Sequence, residues 1–230
     1  TCKGARWPLM HLKKTVLELG GSNPFIVMPD ADLERAAVEA CCSRFRDAGQ
    51  SCNAAKRIVV TEVVADRFIP LFLAECAKLQ TGDPKDPATT LAPLHREDLR
   101  ANVHAQVQDA VAHGAEVLTG GFIPEGKGWF YPATVLDKVN PDCRVWNEEV
   151  FGPVAMILRA RDEEHAIALA NDTPYGLGAS IYTADTCRAW DFAEKIQAGS
   201  VFINRHTSSD LRLPFGGVKA SGYGRELSEF

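Results

Sequence analysis

Residues 24–61 read PFIVMPDADLERAAVEACCSRFRDAGQSCNAAKRIVVT. The apolar run 24–28 is short enough for a strand, and Asp32 stands where it can cap a helix of about residues 33–46. The β-branched run 58–61 then has the composition of a second strand. A strand, a helix and a strand in this order form the unit from which parallel sheets are built.

The same alternation continues on both sides of this unit. Residues 16–19 have the pattern of a strand, residues 64–79 that of a helix, and residues 81–87 form a turn-rich linker. Further helices are predicted at 98–113, 163–170 and 186–197, and further strands at 116–118, 153–158, 179–182 and 200–203. We therefore predict the α/β class, with a largely parallel sheet flanked by helices.

Composition limits the kinds of partner. The chain has 230 residues, of which 46% are hydrophobic and 24% charged, so it can bury a full core. Its net charge of -5 argues against nucleic acid or an anionic membrane, because both require clustered Lys and Arg. No apolar run of about 18 residues is present, and the basic start lacks the apolar core of a secretory signal. We expect a small-molecule ligand and a cytoplasmic location.

The cysteines and histidines suggest neither disulfides nor a metal. Seven cysteines are an odd number with irregular spacing, and no C-x-x-C pair occurs. Cys41 and Cys42 are adjacent in a helical pattern, where neighbouring side chains point apart. The six histidines have no H-x-x-x-H spacing. A reducing compartment and no metal site are predicted.

Cys52 lies in the short polar stretch GQSCNAAK, residues 49–56, between the predicted helix and strand. A thiol in such a loop can be exposed, and nearby backbone N–H groups can meet an incoming carbonyl oxygen. Cys52 is therefore a candidate nucleophile. Taken alone, the residue is also compatible with the small buried apolar role that most free cysteines have.

Three further segments carry chemistry. Glu18 lies in LELGG, residues 17–21, where apolar neighbours raise a carboxyl pKa and favour a general base; pairing with a lysine at a sheet edge is the alternative. In residues 147–153, Glu149 can bind a ribose while Phe151 packs on a flat cofactor, or the segment is a surface turn. Four glycines in residues 215–224 let the backbone approach a ligand or another subunit closely.

These segments together resemble the aldehyde dehydrogenase superfamily. Residues 17–21 are similar to its glutamate motif, residues 45–52 to its cysteine motif, residues 149–153 to its cofactor-ribose motif, and residues 214–224 to its C-terminal glycine-rich segment. The resemblance covers nearly the whole chain, in the order and at the spacing of the family. It implies that Cys52 attacks an aldehyde as a thiolate, that NAD or NADP accepts the hydride, and that Glu18 activates the water that releases the acid. Glu149 and Phe151 would hold the nicotinamide end of the cofactor.

Succinate-semialdehyde dehydrogenases are the branch that the chain is most similar to. There an arginine and a serine hold the far carboxylate of the substrate, and the matching positions are Arg46 and Ser209. An arginine can bind a carboxylate through two hydrogen bonds, which selects an ω-carboxylated aldehyde. The alternative for Arg46 is a solvated charge at a helix end.

The length of the chain departs from the family, whose members are about twice as long. We therefore expect residues 1–230 to be the catalytic domain of a larger, homo-oligomeric enzyme, with residues 1–14 a remnant of the linker from the cofactor-binding half. A folded but inactive domain is one alternative. A CoA-acylating aldehyde dehydrogenase is another, although Glu18 counts against it, and a thiol hydrolase lacks a histidine placed as partner of Cys52.

Overall fold

A computed structural model describes residues 10–11 and 13–229. In that part of the chain, eleven strands are formed: β1 Leu17–Glu18, β2 Asn23–Val27, β3 Ala55–Thr61, β4 Glu116–Thr119, β5 Thr134–Asp137, β6 Val154–Ala160, β7 Tyr175–Gly176, β8 Gly178–Tyr182, β9 Ser200–Ile203, β10 Val218–Lys219 and β11 Gly222–Tyr223. Seven of them build one sheet in the order β4-β5-β6-β3-β2-β8-β9. The pairs β1–β11 and β7–β10 are separate two-stranded ribbons.

The large sheet is parallel except for its edge strand β4, which runs antiparallel to β5. All residues of the central strands β2 and β3 are buried, as strands covered on both faces must be. The predicted α/β class with a largely parallel sheet is confirmed.

Helices cover the sheet: α1 Leu33–Phe45, α2 Glu62–Cys76, α3 Glu97–Ala112, α4 Arg144–Asn147, α5 Glu163–Asn171 and α6 Thr186–Ala193. The predicted cap of α1 is confirmed, because the Asp32 side chain accepts a hydrogen bond from the N–H of Arg35. The prediction that the last helix reaches residue 197 was wrong. Lys195 and Ile196 donate to carbonyls three residues back, so the chain tightens into turns after Ala193.

The predicted linker, residues 1–14, lies largely outside the described residues. Within the described ranges, no helix is both long and apolar enough to cross a membrane. Among those same residues, no three His, Cys, Asp or Glu side chains are grouped closely enough to hold a metal ion.

Candidate active site

Cys52 lies in a turn between a short 3₁₀ helix, Arg46–Gly49, and strand β3. Asp47, Ala48 and Gly49 have φ values of 52°, 53° and 70°, so the chain reverses through three consecutive left-handed residues. The turn is fixed at the carbonyl oxygen of Asn53, which accepts hydrogen bonds from Asn23 Nδ2 at 2.9 Å and Thr207 Oγ1 at 2.5 Å. The thiol is half-buried.

The glycine pair after Glu18 brings three of the predicted motifs together. A Cβ at Gly21 would lie 2.2 Å from the carbonyl oxygen of Cys52, and one at Gly20 would lie 2.6 Å from Glu149 Oε2. Gly20 also has a φ of +133°, which L side chains rarely adopt. The N–H of Gly21 donates to Glu149 Oε1 at 2.9 Å. Only glycine at both positions permits this close packing.

Glu18 is positioned by β1, which pairs antiparallel with β11 so that Glu18 faces Gly222 in the register. Although the residue is exposed, loss of water around the carboxyl group raises its pKa, and Glu226 raises it further while Arg225 lowers it. The raised pKa agrees with the expectation for a general base.

One glycine of the glycine-rich segment approaches the backbone of this same chain closely. A Cβ at Gly222 would lie 1.8 Å from the carbonyl oxygen of Leu17. The close approach is therefore made to strand β1 of the same chain. The N–H of Leu19 also donates to the carbonyl of Ser221 at 3.0 Å, which extends this contact.

The surroundings of Cys52 favour the protonated thiol. Burial raises the thiol pKa, and the negative charges of Glu18 and Glu149 raise it further, against smaller lowering by the backbone N–H groups of Cys52 and Asn53. The thiolate that the resemblance implies is thus not the favoured resting form in this chain. The same interactions indicate that both carboxylates lie within electrostatic reach of the sulfur.

Two buried cations hold the loop that carries Glu149 and Phe151. Arg44 Nη2 donates to the carbonyls of Gly49, Val150 and Gly152, the first at 2.9 Å. Lys56 Nζ donates to the carbonyls of Val145 at 2.7 Å and Glu148 at 2.6 Å. Burial lowers the pKa of Lys56 well below its usual range and that of Arg44 to about 10.

Neither buried cation was predicted, although the sequence contains a signal for each of them. Ala36, Ala40 and Arg44 are spaced by four residues on the buried side of α1, so the arginine continues an apolar stripe. Lys56 and Arg57 interrupt a strand whose other residues are suited to burial. Charged residues at core-facing positions are rarely buried without partners, which marks them as structural anchors.

The groups at this loop suit the nicotinamide end of a dinucleotide. Burial raises the pKa of Glu149, against lowering by the Gly21 N–H, Lys56 and Arg44. Among the described residues no protein group donates to Glu149 Oε2, so this oxygen can accept from a ribose hydroxyl. Phe151 is 37% exposed and offers an aromatic face to a flat ring.

A polar cavity of about 240 Å³ opens beside the Cys52 turn. Its lining includes Arg46 and Ser209, the two positions to which the resemblance assigns carboxylate binding. The Arg46 side chain is 70% exposed and lies 3.6 Å from the Asp47 carboxylate, so it also ends helix α1 as the alternative reading held. The remaining walls are Ser43, Asp47, Ser51, Asn53, His206, Thr207 and Ser208.

Known proteins resemble the chain over almost all of its length. An aldehyde dehydrogenase of Paenarthrobacter nicotinovorans is 51% identical over 220 residues, which are 96% of this chain and 48% of that protein. The NAD(P)+ succinate semialdehyde dehydrogenase of Escherichia coli K12 is 50% identical over 95% of this chain and 47% of its own length. The chain thus spans about half the length of these relatives.

Solved structures agree with this similarity. Succinic semialdehyde dehydrogenase from Streptococcus pyogenes, in complex with NADP+, superposes with a TM-score of 0.95 at 42% identity, over 98% of this chain and 50% of that one. Residues 5–230 match the aldehyde dehydrogenase family. The chain belongs to the aldehyde dehydrogenase family.

Proposed function

We propose that the protein containing this chain oxidises succinate semialdehyde to succinate with NAD or NADP, through a thioester on Cys52. The observation that carries the proposal is the packing at the glycine pair: Gly21 lies against the Cys52 turn and Gly20 against the Glu149 carboxylate. Glu18 precedes this pair by two positions. Residues 1–230 are then the catalytic domain of the enzyme. The cytoplasmic location predicted from the sequence and the homo-oligomeric assembly implied by the resemblance stay predictions.

In the first half of the proposed reaction, Cys52 Sγ gives its proton to solvent water and bonds to the aldehyde carbon. The carbonyl oxygen becomes an oxyanion that the backbone N–H of Cys52 helps to stabilise. When bound, NAD or NADP supplies the acceptor for the hydride that leaves this carbon. Glu149 and Phe151 hold and orient the nicotinamide ribose and ring at the loop fixed by Arg44 and Lys56.

In the second half, a thioester joins Cys52 to the acyl group. Glu18 takes one proton from water, the water oxygen bonds to the thioester carbon, and the C–S bond breaks to release the acid and the Cys52 thiolate. A carboxyl with a raised pKa holds that proton more readily at neutral pH. This role for Glu18 favours hydrolysis over acyl transfer to CoA.

The substrate class follows from the polar cavity. Arg46 and Ser209 both line it, so one cation and one hydroxyl are available to bind the far carboxylate of a short semialdehyde, which supports this substrate class. Similar proteins are named succinate-semialdehyde dehydrogenases, including those of Escherichia coli and Deinococcus radiodurans.

The test compares this chain with a protein that joins it to a cofactor-binding domain, using succinate semialdehyde and butanal with NAD or NADP. We expect the longer protein to reduce the cofactor and to prefer succinate semialdehyde, and the chain alone to be silent. Cys52→Ala should abolish the reaction. Arg46→Ala should lower kcat/KM for succinate semialdehyde about tenfold, the effect of a lost charge-assisted hydrogen bond, and leave butanal nearly unchanged.

Two results would contradict the proposal. Activity that survives Cys52→Ala would remove the thioester from the reaction. Equal losses for both aldehydes in the Arg46 variant would leave aldehyde oxidation in place and remove the carboxylate contact.

A further inference from the structure

His206 lies in the wall of the polar cavity, in the segment that follows β9 and outside the family motifs quoted above. Its side chain is 20% exposed, whereas that of Arg46 is 70% exposed. The ring is fixed from the side of helix α1, because Nδ1 is hydrogen-bonded to Glu39 Oε2. Tyr182 donates its hydroxyl to the same carboxylate oxygen at 3.3 Å.

The Glu39 carboxylate determines which ring nitrogen is left for the cavity. Burial raises the pKa of Glu39, but the hydrogen bonds from His206 and Tyr182 and the charge of His206 outweigh it, so the net shift is downward. A charged carboxylate only accepts, and Nδ1 must therefore be the donor in this bond. Among the described residues, no protein group bonds to Nε2, which is the remaining polar atom of the ring.

The different exposure of the Arg46 and His206 side chains indicates which of them contributes more to discrimination between substrates. Arg46 stands at the mouth of the cavity, where water screens its charge and Asp47 competes for it. His206 is largely withdrawn from water, so a hydrogen bond from it is stronger and costs more to lose.

We propose that His206 binds the far carboxylate of the substrate as an imidazolium, which donates from Nδ1 to Glu39 and from Nε2 to the substrate, and that it determines specificity beside Arg46. The inference rests on the proposed function and deepens it. One carboxylate oxygen is then bound at the mouth by Arg46 and the other deeper in the cavity by the imidazole, so an aldehyde without that carboxylate gains nothing from either residue.

Two substitutions of His206 distinguish the role of Nδ1, which contacts Glu39, from the role of Nε2, which faces the substrate in the proposal. The amide nitrogen of Asn lies close to the place of Nδ1, so His206→Asn keeps the contact with Glu39 and removes the donor from the cavity. The amide nitrogen of Gln reaches close to the place of Nε2, so His206→Gln keeps a donor there. The assay measures kcat and KM for succinate semialdehyde and butanal in the longer protein, with a thermal melt of each variant as a check of folding.

We expect His206→Asn to lower kcat/KM for succinate semialdehyde about tenfold or more, mainly through KM, with less than about a twofold effect on butanal. His206→Gln should recover most of the loss. Glu39→Gln should change kcat/KM for the two substrates in the same direction as His206→Asn. The change should be smaller, because the ring keeps a neutral hydrogen-bond partner. This third variant tests the inference even if His206→Asn folds poorly.

The outcomes distinguish the inference from the proposal on which it rests. A wild-type enzyme that does not prefer succinate semialdehyde over butanal would overturn both. If the wild type prefers it and Arg46→Ala weakens that preference, but His206→Asn leaves it intact, only the inference on His206 is overturned. Equal losses for both aldehydes in His206→Asn would assign the residue to the structure of the wall.

Discussion

The Cys52 thiol lies within electrostatic reach of two carboxylates, so its rate of alkylation should depend on the charge of each. Their negative charges raise the thiol pKa beyond the effect of burial, so neutralising either one should lower it. We expect Glu18→Gln and Glu149→Gln each to speed alkylation of Cys52 by iodoacetamide severalfold at pH 7.5. The midpoint of the pH–rate profile should move to lower pH.

Peptide mapping after brief labelling gives the rate at Cys52 separately from the other cysteines. Glu148→Gln is the matched control, because that carboxylate is bonded to Arg144 and Gln106 and does not contribute to the Cys52 shift. An unchanged midpoint in both the Glu18 and Glu149 variants would show that burial alone sets the thiol pKa.

At the residue scale, the sequence predicted side chains with distinctive chemistry and missed those that act through distant backbone. Cys52 and Glu18 stand in short segments whose composition is informative by itself. Lys56 acts on carbonyls about 90 positions away, and Asn23 on the carbonyl of Asn53, so neither role can be recognised from local pattern. His206 was missed because its partner Glu39 lies on another element.

At the scale of elements, the loop from Val145 to Gly152 depends on the buried ammonium group of Lys56. Lys56→Met removes the donor from the carbonyls of Val145 and Glu148, and a buried unpaired carbonyl costs about 1 to 3 kcal/mol. Relief from burying a charge offsets part of this. We expect Lys56→Met to lower the free energy of unfolding, measured in urea at pH 7, by about 2 kcal/mol. Lys78→Met, at an exposed position, should change it little.

The effect of Lys56→Met should grow as the pH rises. Burial lowers the folded-state pKa of Lys56 well below the ordinary 10.5, so the unfolded chain binds more protons between the two values. The stability that this residue contributes therefore increases with pH in that window and becomes constant above it. Urea unfolding of the wild type and the variant at several pH values gives the difference, and a difference that shrinks toward pH 10 would contradict the assignment.

Most elements of the large sheet were predictable because their apolar runs match the periods of buried strands and amphipathic helices. Strand β5 was not, since Thr134–Asp137 is short and polar at both ends. Strand β1 was predicted within residues 16–19, whereas its partner β11 and both strands of the β7–β10 ribbon have only two residues, too few to show a period. Strand pairing between the first and last parts of the chain depends on tertiary contacts alone.

At the scale of the whole molecule, the β1–β11 ribbon ties the start of the described chain to its end. Gly222→Ala places a Cβ against the Leu17 carbonyl, so we expect it to open the ribbon and to speed amide exchange at Leu19, whose N–H donates to Ser221. Amides in β3 should stay protected, because the ribbon is separate from the large sheet.

Gly114→Ala is the control for backbone strain. Gly114 also has a positive φ, +93°, but a Cβ there meets nothing within 4 Å. Hydrogen–deuterium exchange followed by NMR compares the two variants residue by residue. Equal protection of Leu19 in both would show that the close approach at Gly222 does not hold the ribbon.

The pairing of Glu18 with Gly222 also sets an order of events during synthesis. About 200 residues separate the two partners, and contacts this distant close late because a long loop must first be ordered. The turn that carries Cys52 is translated long before the segment that orients Glu18. A nascent chain can therefore form the Cys52 turn early, whereas Glu18 gains its strand partner only after Gly222 has emerged from the ribosome.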